Sequence, residues 1–109
     1  MPEYKIYYIS RELLESETIE DMERYHNYTF SPGEKDINPL IRDYELKYQG
    51  GFKSLADVYE KCQNDFGEKP FRGRSMMIGD IIEAEDGLYM VDSGFGFHKT
   101  EWNEKIEDE

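Results

Sequence analysis

Hydrophobic residues fall along the chain in short blocks whose spacing changes from two residues to three or four and back. Residues 4–9, YKIYYI, are aromatic and β-branched, which favours a strand. Their apolar side chains fall on both faces, as a central strand requires. In the stretch SRELLESETIEDMERYHNY, Thr18 followed by Asp21 has the spacing of a capping box. Ile19, Met22, Tyr25 and His26 then recur on one helical face. The pattern predicts a helix over about 18–27, or one that begins nearer Arg11. Residues 29–39, with two prolines and a glycine, read as a loop. DYELKYQGG then alternates Tyr44, Leu46 and Tyr48 against Glu45, Lys47 and Gln49, the pattern of a half-buried strand. Ser54 and Asp57 open a second helix, with Leu55, Val58, Tyr59 and Cys62 on its inner face and an end near Asn64.

The stretch GRSMMIGDIIEAEDGLYMVDSGFGF, residues 73–97, contains the strongest hairpin signal in the chain. Asp86-Gly87 is a preferred hairpin turn. It separates a strand over 81–85 from a return strand over 88–92. Ser93-Gly94 turns again, and 95–102 offers a third strand. A phosphate-binding loop at these glycines would need a preceding strand, a following helix and a lysine. Here the lysine is absent and strands follow, so Gly79, Gly87, Gly94 and Gly96 read as turn and bulge residues. The order β-α-β-α followed by a meander predicts an α+β fold. We expect a single domain, 1–109, with an antiparallel sheet of about four or five strands and two helices packed on one face. The expected core includes Ile6, Tyr8, Ile19, Met22, Tyr44, Leu46, Leu55, Val58, Tyr59, Ile81, Leu88, Met90 and Phe97.

Charge narrows the partners. Thirteen basic and 25 acidic residues give a net charge of −12. Nucleic acids and anionic membranes both require a basic footprint, so direct binding to either is not expected. A partner with a basic surface fits. Aromatics make up 15% of the 109 residues, too many for a disordered chain. The single cysteine, Cys62, excludes an intrachain disulfide. The first ten residues lack a basic start followed by an apolar run, and no stretch has the length of a membrane span. The expected location is the cytoplasm, of a bacterial host cell once the resemblance given below is included.

Catalytic chemistry finds little support. The two histidines are His26 and His98. A two-histidine nuclease with Arg72 or Arg74 as phosphate clamp is conceivable. Its geometry is not visible in a sequence, and the expectation is that the protein is not an enzyme. His26 lies on the apolar side of its helix and reads as a core or boundary residue, and Cys62 reads as a small core residue. No Cys/His spacing suits zinc and no acidic run suits calcium, so neither a metal nor another cofactor is expected.

The acidic residues form a sharper pattern. Glu12, Glu15, Glu17, Glu20, Asp21 and Glu23 crowd the first helix. Residues three or four apart on a helix lie about 5–6 Å from one another and repel when like-charged. DNA places a phosphate every ~3.4 Å per strand along its axis. Such a face can imitate the phosphate backbone and occupy a basic channel. The competing reading is a solvated, solubilising helix face. Glu101, Glu104, Glu107, Asp108 and Glu109 form a second acidic group in a tail, 103–109, expected to be frayed. Arg72, Arg74, Phe95 and Phe97 are secondary candidates for partner binding.

YELKYQG, SLADVYEKCQNDFGEKPFRGRSMMIGDII and LYMVDSGFGF together resemble the YodL-like domain family. The shared features are a short tyrosine-bearing strand, a helix like 55–64, and a Pro-x-x-Gly-x-Ser approach at Pro70, Gly73 and Ser75. Gly79-Asp80 then precedes the strand Ile81-Ile82, and an ending rich in Asp, Ser, Gly and Phe follows. This chain departs from the family's Asp-Ser-x-Gly-Phe ending, reading Asp92-Ser93-Gly94-Phe95-Gly96-Phe97. The resemblance covers Tyr44 to Phe97 within a YodL-like part, 44–102, and leaves out the acidic N-terminal third, 1–43. It implies an accessory domain of phages, plasmids and integrative elements, with no catalytic residues to carry over. Together with the acidic helix it yields a functional expectation. The chain would be a non-enzymatic inhibitor of a host defence nuclease, of anti-CRISPR or antirestriction type, acting as a DNA mimic on a basic channel. The alternative is an adaptor of a mobile element that binds another protein through the meander and its aromatics.

Overall fold

The computed structural model of the protein describes residues 1–30, 38–63, 69–92 and 96–103. Five strands form one antiparallel sheet: β1 (Glu3–Ile9), β2 (Tyr44–Gly51), β3 (Ile81–Ala84), β4 (Gly87–Val91) and β5 (Phe97–Thr100). Their spatial order is β2-β1-β3-β4-β5. The α+β class and the antiparallel sheet are therefore as the sequence predicts. β1 pairs with β2 on one side and β3 on the other. The acidic N-terminal third and the remainder of the chain thus share one sheet.

β1 explains the two-sided core. Tyr4, Ile6 and Tyr8 point to one face, where they pack with Phe52, Val58, Cys62, Met76, Ile82 and Val91. Ile9 points to the other, with Leu13, Tyr28, Tyr44, Ile81 and Met90, and Tyr7 packs against that group. The strand alternates with a period of two, and both sets are apolar. Ile6, Ile81, Ile82 and Met90 are fully buried, and each such side chain contributes roughly 1.5–3 kcal/mol of transfer free energy.

The helices are α1 (Arg11–Glu15), α2 (Ile19–Thr29) and α3 (Leu55–Lys61). Each start is fixed by a hydroxyl that accepts an amide hydrogen bond. Ser10 Oγ accepts from Leu13 N at 3.2 Å, Thr18 Oγ1 from Asp21 N at 3.2 Å and Ser54 Oγ from Asp57 N at 3.1 Å. This satisfies amides that have no partner within the helix. The first predicted helix is thus divided into α1 and α2, because Ser16 closes α1 and Thr18 opens α2. A 3-10 turn, Ile41–Asp43, leads into β2.

Three features of the packing differ from the sequence expectation. First, the helices occupy opposite faces of the sheet. Val58 and Cys62 of α3 join the first cluster, whereas Leu13 of α1 and Tyr28 of α2 join the second. A five-stranded sheet with apolar residues on both sides needs covering on both sides. Second, Ile19 and Met22 are not core residues. They are 76% and 53% exposed, because α2 turns Arg24 and Tyr28 inward instead. Third, Leu46 is exposed. The β1–β2 register shifts between Ile6 and Tyr7, so Ile6 faces Tyr48 and Tyr7 faces Leu46 with Lys47 between. The bulge breaks the alternation: Tyr44 joins the second cluster and Tyr48 packs against the first.

The C-terminal meander follows its predicted boundaries closely. β3 and β4 pair from Ile81–Met90 to Ala84–Gly87, and Gly87 has φ +142°. Gly79 has φ +97°, and a Cβ there would lie 2.8 Å from the Tyr28 carbonyl oxygen. Glycine is required at that position by conformation and by space. Ser93, Gly94 and most of the acidic tail lie outside the described residues, as does most of the 29–39 loop. Trp102 is packed edge-on against Tyr7 and Tyr44, at 5.2 and 5.6 Å between ring centres.

Candidate functional site

α1 and α2 are short helices joined by a tight turn that carries its own hydrogen bonds. Ser16 Oγ donates to Asp21 Oδ2 at 2.6 Å and accepts from Thr18 N at 3.3 Å. The turn fixes the direction of α2 relative to α1. It leaves Glu12, Glu15, Glu17, Glu20 and Glu23 exposed. The sixth predicted acid, Asp21, is half-buried and differs in role. Its carboxyl is held below the ordinary carboxylate range, first by the Ser16 hydrogen bond and then by Arg24.

The basic residue of α2 does not offset the outer charge. The Arg24 guanidinium turns inward, with Nε 2.8 Å from Asp43 Oδ2 and Nη2 3.1 Å from Oδ1. Nη2 also donates to Asp21 Oδ1 at 2.6 Å. Tyr28 donates to Asp43 Oδ2 at 2.7 Å and accepts from Leu40 N at 3.1 Å. Asp43 is buried, and the network ties α2 to the turn before β2. Arg11 approaches Glu15 at 3.6 Å, but both side chains are largely exposed. Such a pair is worth little in water. The outer surface of α1 and α2 is therefore mostly acidic, and its exposed large apolar side chains are Leu14 on α1, Ile19 and Met22 on α2, and the capping residue Phe30, which is 59% exposed. The His26 ring stacks on Phe30 at 4.4 Å. The expectation of His26 as a core or boundary residue is thus corrected: it lies on the exposed side of α2.

The two arginines at the mouth of the glycine-rich stretch have separate fates. Arg72 is exposed. Arg74 forms a two-pronged ion pair with Asp80: Nη1 to Oδ2 at 2.7 Å and Nη2 to Oδ1 at 2.9 Å. Asp80 also accepts from Met77 N at 2.8 Å and from Ile9 N at 2.9 Å. Burial pushes the Asp80 carboxyl up, while Arg74 and the two amides pull it down. The Arg74 guanidinium lies over the Tyr8 ring, 4.2 Å from its centre. Arg74 thus anchors the 69–80 segment to β1.

The remaining candidates do not form a site. Phe97 is half-buried on β5 and packs against Tyr59, with ring centres 6.4 Å apart. It belongs to the core, as its other expected role requires. Phe95 lies outside the described residues. His98 Nδ1 is 3.3 Å from Asp92 Oδ2 on the neighbouring strand end, and no structural feature brings it together with His26. Burial raises the Cys62 thiol to about 11, which leaves it protonated and unreactive at neutral pH. Among the described residues no cluster of His, Cys, Asp or Glu could hold a metal ion, and no helix is long and apolar enough to cross a membrane.

A cleft of about 470 Å³ lies between α1, β2 and the Arg74 segment, with Arg11, Leu14, Glu45, Lys47 and Arg74 in its wall. Its cations already have acidic neighbours. Lys47 pairs with Glu45 at 3.3 Å, Arg74 with Asp80, and Arg11 with Glu15. This leaves no evident anion site. Comparison of the chain with family models, with curated proteins and with solved structures finds no match. Among the described residues, the surface of α1 and α2 gathers five exposed glutamates around one turn.

Proposed function

We propose that the protein is a non-enzymatic inhibitor. It presents the acidic face of α1 and α2 to the basic nucleic-acid channel of a host defence nuclease. One observation carries this reading: Glu12, Glu15, Glu17, Glu20 and Glu23 all face outward while Arg24 is consumed inside the fold. Four carboxylates on two adjoining helices, with Glu17 in the turn between them, create a local negative field. Its like-charge spacing disfavours the isolated helices, and a basic partner relieves that repulsion. The choice of a defence nuclease, and of a bacterial cytoplasm as the setting, rests on the resemblance of residues 44–97 to the YodL-like family. That resemblance is itself part of the proposal.

The test is inhibition of candidate defence nucleases, CRISPR effectors and restriction enzymes, with competing DNA and at two salt concentrations. Steep weakening by salt and competition by DNA are expected. Glu17→Lys, Glu20→Lys and Glu23→Lys combined should abolish inhibition. Unchanged inhibition by that triple variant would sink the mimicry.

A further inference from the structure

Helix α2 is amphipathic in the reverse of the usual sense. Its inner face is polar, with Asp21, Arg24 and Tyr28 bonded around Asp43. Its outer face carries a narrow apolar stripe bordered by exposed carboxylates. Ile19, Met22 and Phe30 are 76%, 53% and 59% exposed, and His26 lies between them. At 100° per residue Ile19, Met22 and His26 fall within an arc of about 60°, and Phe30, the residue that caps the helix end, stacks on His26 and extends the stripe. Large apolar side chains gathered on one surface mark a contact site more often than scattered ones do. The same rotation places Glu23 and Glu20 along one margin of the stripe, and Glu17 precedes its start.

We propose that this stripe docks an amphipathic, basic helix of a partner protein. Leucine-like anchors three and four residues apart would pack on Ile19, Met22 and Phe30. Lysine or arginine on one flank would meet Glu20 and Glu23. The charge decides between occupants. A phosphate backbone or an anionic lipid surface would be repelled by those carboxylates. A second copy of this chain would bring Glu20 and Glu23 against like charges. The basic helix alone satisfies both the stripe and its margin, the helix-on-helix mode of peptide recognition. The inference rests on the acidic-face reading for the sign of the partner's charge. It adds an apolar anchor that simple phosphate mimicry lacks.

The experiment uses the full chain and a synthetic helical peptide with leucine on one face and lysine on the flanks, followed by fluorescence anisotropy. Control peptides replace the leucines by glutamine or the lysines by glutamate. The leucine–lysine peptide should bind, and both controls should bind at least about tenfold more weakly. Ile19→Ser with Met22→Ser should cause a similar loss with an unchanged melting temperature. Binding that is lost with Glu20→Lys and Glu23→Lys but indifferent to the serine variant and to the glutamine control would overturn the stripe and leave the acidic face standing. No binding by the leucine–lysine peptide would overturn the stripe, while the acidic-face reading stands or falls on the inhibition assay. A marked fall in melting temperature for the serine variant would show that the stripe packs within its own chain. A dimer that disappears in that variant would make the stripe a self-contact. Either result overturns the proposal.

Discussion

Asp80 and Glu23 carry the same charged group in opposite surroundings. Asp80 is fully buried and surrounded by donors: two from Arg74, one from Met77 and one from Ile9. Glu23 stands on the outer side of α2 beside other carboxylates. The first holds a loop against the central strand, and its negative charge is invisible from outside. The second is exposed to solvent and, in the proposed reading, sets what can approach. Among the described acidic residues, Asp43 and Asp80 are buried, and each gathers several donors. The difference between Asp80 and Glu23 is made by chain geometry, not by residue type.

The contrast is broken most severely at Asp80. Asp80→Ala leaves the Arg74 guanidinium unpaired beside Tyr8 and two amides without acceptors. Removing one partner of a buried pair costs about 3–5 kcal/mol. Urea denaturation should show a loss of that size, and a loss near zero would mean that the pair is dispensable. Gly79→Ala should cost about 1–3 kcal/mol, since the residue keeps a positive φ and its Cβ meets the Tyr28 carbonyl. The same denaturation series reads it.

Smaller effects are expected at the exposed helix start of α3. Ser54→Ala should cost about 1 kcal/mol through the lost cap. Asp57 accepts from Lys53 N at 2.9 Å, and its carboxyl is held below its ordinary value of 3.8, first by that amide and then by Lys61. A depressed carboxylate stabilises the fold above its unfolded pKa and loses that contribution as pH falls through the folded one. The stability gap between the wild type and Asp57→Ala should therefore be full near neutral pH and close below about pH 3.8. A gap that widened in acid would contradict the assigned hydrogen bond.

The smallest effect belongs to the outer face. Glu17→Lys, Glu20→Lys and Glu23→Lys should each change stability by no more than about 0.5 kcal/mol, since surface substitutions away from special features rarely do more. Thermal melts of the three single variants check this. A large loss in any of them would show that the acidic face belongs to the folding side of the contrast.

Much of the architecture was legible because its signals are local. The alternation of Tyr4–Ile9, the hydroxyl caps at Thr18 and Ser54, and the Asp86-Gly87 turn each involve a few adjacent residues. What escaped depends on distant residues. Arg24 reaches Asp43 across 19 positions and so reverses the inward face of α2, which misplaced Ile19 and Met22. The β1–β2 bulge follows from pairing and misplaced Leu46. Arg74 and Asp80 are six apart in sequence, yet their pairing depends on a loop returning to β1. Of the candidate site, the exposure of the five glutamates was legible from their density. The apolar stripe beside them was not, because the same residues fitted a core.

Cys62 offers a consequence of another kind. It is the chain's single thiol, it is fully buried between α3 and the sheet, and its backbone accepts from Met76 N at 3.1 Å. A thiol reagent can reach it only when α3 lifts away or the chain unfolds. The labelling rate in native buffer therefore clocks the opening of that face, with no probe added to the protein.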